Sequence, residues 1–138
     1  MISMPRLSLA VSGIAFLALG LLFLYDVTLI TKVFKIPPPA PVMRAEMTGV
    51  YGGLQAGLGV FFLAAAAHTR WIRAALAAQI AAFAGLAGGR IVGMVLHGHT
   101  STLFLVLLTL ELGGLLIGLM AFHRAKVMMT EYAARGLL

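Results

Sequence analysis

Residues 74–122 read AALAAQIAAFAGLAGGRIVGMVLHGHTSTLFLVLLTLELGGLLIGLMAF. Two long apolar runs, 74–96 and 101–122, flank a few polar and small residues. A helix needs about 20 mostly apolar residues to cross the hydrocarbon core of a bilayer. Each run supplies that length. The link between them, LHGHTS, is so short that the two helices must form an antiparallel hairpin. Neither run carries the polar stripe of a water-facing helix; each is apolar nearly all round. Working outward, two further runs qualify, at 7–25 and 47–67. The alternating pattern of a membrane barrel is absent, which leaves helices as the spanning structure. The expected fold class is therefore all-α: an integral membrane four-helix bundle formed by residues 1–138 as one domain.

Composition agrees. Of 138 residues 62% are apolar and 10% charged, and the mean hydropathy is +1.05. A soluble domain has about 45–50% apolar and about 25% charged residues, so that class is excluded. The net charge is +6. The basic residues sit in short loops between apolar runs rather than on one wet face, so nucleic acid is not an expected partner. There is no cysteine, which removes internal disulfides and leaves the redox compartment unread.

Lys and Arg in the loops set the sidedness. Arg6, Arg70, Arg73, Arg124, Lys126 and Arg135 fall on one side, six in all, against Lys32, Lys35 and Arg44 on the other. This predicts both termini in the cytoplasm, in a bacterial inner membrane. One Arg before an apolar run also describes a signal peptide. The run is long for that, and no small-x-small cleavage site follows. An uncleaved first helix is the expectation.

The loop from Asp26 to Glu46 has two readings. Thr28, Thr31, Lys32 and Lys35 share one side of a helical wheel, opposite Val27, Leu29, Ile30, Val33, Phe34 and Ile36. That describes an interfacial amphipathic helix after the first span. Alternatively, the first span simply continues out of the membrane. Pro37, Pro38, Pro39 and Pro41 end it in both cases, because proline lacks the donor and clashes with the preceding turn. The tail from His123 starts basic and then carries Val127, Met128, Met129, Tyr132 and Leu137. It extends the fourth helix or lies on the cytoplasmic surface.

Small residues let membrane helices approach closely. Ala77, Ala81, Gly85, Gly89 and Gly93 recur every four residues in the third span. Gly49, Gly53 and Gly57 do so in the second, and Gly114 and Gly118 share a face with Glu111 in the fourth. Gly13 and Gly20 stand seven apart in the first. Packing within the bundle is the expected role of Gly53, Gly57, Gly85, Gly89, Gly93, Gly114 and Gly118. The alternative is that one seam faces outward to a partner.

An ionisable side chain inside a span costs at least about 2.5–3.5 kcal/mol on insertion scales, so it normally turns inward toward a partner. Arg90 lies about 6 residues in from the hairpin loop and Glu111 about 10, or roughly 9 and 15 Å. An Arg stem bridges that difference, and a salt bridge is expected. Tyr51 and Gln55 share a face of the second span, and Glu46 stands at that helix's start, where a carboxylate is favoured. The sequence suggests one polar cluster: Glu46, Tyr51, Gln55, Arg90 and Glu111. Three roles stay open: a buried pair fixing register, a seat for an amphiphile's head, or a proton path through Glu111.

His97 and His99 lie in the hairpin loop. With Asp26 and Glu46 they are a weak metal signal, and solvated imidazoles are the expectation. There is no nucleophile elbow, phosphate loop, zinc spacing or cofactor box. No metal, cofactor or catalytic residue is assigned.

The stretches RAEMTGVYGGLQAGLGVFFL, GGRIVGMVLHG and LLTLELGGLL together resemble an uncharacterised family of small bacterial four-transmembrane-helix proteins, catalogued as a domain of unknown function. The resemblance runs roughly from Gly13 to Phe122. It maps onto Glu46, Tyr51, Gly52, Gly53, Gly89, Arg90 and Glu111. It implies the fold and a shared polar cluster and brings no reaction. The functional expectation is a non-catalytic accessory or scaffold subunit. Its partners would be membrane lipids and other membrane proteins, or further copies of itself. The alternative is a protein that binds or transforms a lipid-like or quinone-like molecule at the polar cluster.

Overall fold

The computed structural model describes residues 3–134, with the side chains of all of these except 30 and 126–134. Among them the chain is helical throughout its long elements and contains no strand. The order is α1 (Met4–Tyr25), α2 (Leu29–Phe34), α3 (Pro41–Met47), a π-helical turn (Thr48–Leu54), α4 (Gln55–Ala67), a 3₁₀ turn (Thr69–Trp71), α5 (Ile72–His97) and α6 (Thr102–Ala134). Four stretches are long and apolar enough to cross a membrane: Met4–Tyr25, Pro41–Ala67, Thr69–His97 and Thr102–Ala125. The protein is a multi-pass α-helical membrane protein.

Local chemistry sets the boundaries. α1 stops at Tyr25, and Asp26 then closes a turn by accepting from the amide and hydroxyl of Thr28 at 2.9 and 2.6 Å and from Lys32 Nζ. That turn separates α2 from α1, so the segment after the first span is a helix of its own. Lys35 ends α2 in the left-handed region at φ 54°, and only Ile36 separates it from the prolines. Pro41 opens α3 at its first turn, where a missing N–H costs nothing. Gly98 ends α5 at φ 59°, the conformation a C-terminal cap requires and glycine adopts without strain. Ser101 Oγ accepts from the Phe104 amide at 3.3 Å and caps the start of α6. The backbone of α6 stays helical through Ala134. The side chains of Lys126, Val127, Met128, Met129 and Tyr132, and all of Arg135 and Leu137, lie outside the described residues.

The helices fall into two compact units, Ala10–Ala64 and Met1–Leu9 with Ala65–Leu138. In the first, most of α1 lies antiparallel to the second spanning helix along a glycine seam. A Cβ on Gly13 would meet Leu63, one on Gly20 would strike the backbone of Ala56, one on Gly52 would strike Leu24, and one on Gly59 would strike the backbone of Leu17. Positions 13, 17, 20 and 24 thus face 63, 59, 56 and 52. Both rows step by four, three, four, the spacing of a coiled-coil seam. Phe16 and Phe62, both buried, close it edge to face at 5.6 Å.

In the second unit α5 packs antiparallel along α6. Gly114 receives the ring of Phe83, and Gly118 lies against Gln79 and Ile80. On α6, Glu111, Gly118, Ala121 and Ala125 are buried, a three-four rhythm with Gly114 between them. A fully buried amide bridges this unit. Gln79 Nε2 donates to Ser8 Oγ at 3.0 Å and toward the Gly114 carbonyl at 3.5 Å.

Candidate functional site

Arg90 and Glu111 occupy one layer of the α5–α6 seam. Arg90 Nε donates to Glu111 Oε2 at 3.0 Å, and Nη2 donates to Oε1. The side chains are 20% and 9% exposed. The guanidinium also lies 5.6 Å from the ring centroid of Phe104. Paired contacts of this kind fix the geometry of both side chains. Charge is compensated inside the span, which is what an apolar surrounding demands.

The other three predicted residues belong to the Ala10–Ala64 unit. Glu46 is exposed on the last turn of α3. Tyr51 is partly exposed and lies in the π-helical turn, its ring 5.5 Å from that of Phe23. Gln55 opens α4, and its Oε1 is enclosed with no hydrogen-bond partner among the described residues. A π-helical turn is rare in itself and recurs at functional positions. Here it is built from TGVYGGL, three glycines in seven residues, a run with low helical preference.

The glycines divide sharply. Gly114 and Gly118 lie in the α5–α6 seam, against Phe83 and against Gln79 and Ile80. Gly85, Gly89 and Gly93 have no atom within 4 Å of the space a Cβ would fill, and the same holds for Gly57, while Gly53 meets only its own helix. Within their own units these glycines are therefore not points of close approach. The seam with α1 takes Gly52 and Gly59 from the second spanning helix, one residue before 53 and two after 57. The signal was present as a seven-residue spacing matching that of Gly13 and Gly20; a four-residue rule hides it. Gln79 was missed as well. A lone glutamine in an alanine-rich span, facing Ser8, was its only trace.

Beyond the ion pair a half-open hollow of about 340 Å³ is lined by Arg90, Gly93, Met94, His97, His99 and Phe104. His99 meets Phe104 edge to face at 6.0 Å. Among the described residues no three His, Asp or Glu side chains come together as metal ligands would.

Four spanning helices with a compensated charge pair in one hairpin define a class: a small polytopic helical membrane protein. Residues 4–122 match the family described as a domain of unknown function, DUF4345, and the chain belongs to it. No curated protein and no solved structure matches.

Proposed function

We propose that this protein is an accessory or scaffold subunit without catalysis of its own, docking on another membrane protein or on a second copy through one face of α5. The observation that carries the reading is the open row on α5. Ala77, Ala81, Gly85 and Gly89 are exposed at four-residue spacing, continuing to Gly93. A mid-helix glycine costs about 0.5–1 kcal/mol relative to alanine. Gly85, Gly88, Gly89 and Gly93 have no positive φ, and among the described residues of their own unit nothing lies within 4 Å of the space a Cβ would fill. Close approach by another helix is the use this reading assigns to the row, since lipid gives helices no hydrophobic reason to associate and small residues let backbones touch.

The six-to-three balance of Lys and Arg between the two sets of loops and termini supports a cytoplasmic-membrane location with both termini inside. The test is the mass of the protein extracted gently from its own membranes. A stoichiometric partner or a defined oligomer supports the reading. A second reading has one observation behind it. An enclosed acceptor such as Gln55 Oε1 is relieved by a donor-bearing, lipid-like or quinone-like molecule. Binding that depends on Gln55 would favour that reading.

A further inference from the structure

The hollow beside Arg90 shares only Gly93 with the α5 row and has its own chemistry. Its wall is nearly all carbon, contributed by Met94, Phe104 and the stems of its neighbours. Its room comes from Gly93, where a Cβ would find nothing within 4 Å. The two imidazoles, His97 and His99, belong to the loop end, and both are exposed. The positive charge on Arg90 is already met by Glu111, so the hollow does not require an anion to be stable.

Depth argues for the occupant. α5 has 26 residues, or about 39 Å of helix. The hydrocarbon core is about 30 Å thick. The end of α5 at His97 therefore stands in the headgroup layer. Arg90, two turns earlier, lies about 10 Å further in, beneath the ester region. The hollow spans the boundary where an amphiphile changes from polar to apolar.

We propose that this hollow seats one membrane phospholipid. A segment of its acyl chain fills the space over Gly93, against Met94 and the Phe104 ring. Its ester or phosphate oxygens accept hydrogen bonds from His97 and His99. A volume of about 340 Å³ takes the upper part of one chain and leaves the rest in the bilayer.

The experiment is native mass spectrometry of the full chain released in mild detergent from vesicles of equal parts phosphatidylcholine and phosphatidylglycerol. The wild type should retain one phospholipid. Gly93→Leu puts a side chain into the hollow and should lower the retained fraction by about tenfold or more. Phe104→Ala, which removes wall without filling space, should lower it too and covers the case in which Gly93→Leu fails to fold. Gly113→Leu, on α6 at an open position outside the hollow's lining, should keep the lipid. The assignment is overturned if the wild type carries none, if Gly93→Leu and Phe104→Ala both retain lipid as the wild type does, or if Gly113→Leu sheds it equally. Retained lipid and subunit stoichiometry are separate masses, so this inference and the docking proposal fail independently.

Discussion

Arg90 on α5 donates through two nitrogens to the carboxylate of Glu111 on α6, so one layer of an otherwise apolar helix seam is an ion pair. Removing either partner leaves an uncompensated charge in a low-dielectric setting, a change that costs about 3–5 kcal/mol. Arg90→Leu and Glu111→Leu should each lower the unfolding midpoint in detergent sharply. The double variant, which buries no charge, should recover most of the loss. A double variant as unstable as the two single losses combined would mean that the pair contributes more than mutual neutralisation.

Gly20 and Gly59 stand where α1 and α4 nearly touch. A Cβ at either would collide with main chain, of Ala56 and of Leu17 respectively, and main chain cannot swing aside as a side-chain tip can. Gly20→Leu and Gly59→Leu should abolish the folded monomer, as judged by loss of a monodisperse elution peak. Gly89→Ala, where the space is open, should be tolerated and should add about 0.5–1 kcal/mol of helix stability.

The contrast between those glycines shows how far the sequence could be read. Length and hydropathy locate four spans because backbone satisfaction in lipid permits little else. The Arg90–Glu111 pair is readable too, because a short hairpin loop fixes the depth of both residues. The seam of the first two spans is hidden for a physical reason. The π-helical turn at Thr48–Leu54 shifts the phase of the helix, and a four-residue rule applied across it selects Gly53 and Gly57 instead of Gly52 and Gly59. The hollow beside Arg90 was also out of reach. It depends on Gly93 and Phe104 lining one space from two helices, which spacing along one helix does not reveal.

Asp26 offers a pH prediction outside the spans. The bond from Lys32, followed by those from the Thr28 hydroxyl and amide, lowers its pKa from 3.8 to about 2. A depressed carboxyl contributes its full stabilisation above the unfolded value and loses it as pH falls through the folded one. The turn joining α1 to α2 should be intact at neutral pH and loosen between about pH 4 and pH 2. Hydrogen exchange across residues 26–35 reads this directly. Asp26→Asn should loosen the turn already at neutral pH and remove the acid step.

Gln55 carries an enclosed Oε1 without a hydrogen-bond partner among the described residues, and an orphaned buried acceptor costs about 1–3 kcal/mol. Gln55→Met keeps the side-chain length and removes the need for a donor. It should leave the purified protein as stable as the wild type or more so. A marked fall in its unfolding midpoint would show that a water or bound molecule supplies the missing donor.

The open face of α5 is the centre of the functional account, and subunit mass tests it most directly. Native mass spectrometry of the protein extracted from its own membranes should give a stoichiometric assembly, with a second protein or with further copies. That assembly should fall to monomer in Gly85→Leu and Gly89→Leu while the fold survives. A wild-type protein that is monomeric under the same gentle extraction would contradict the account.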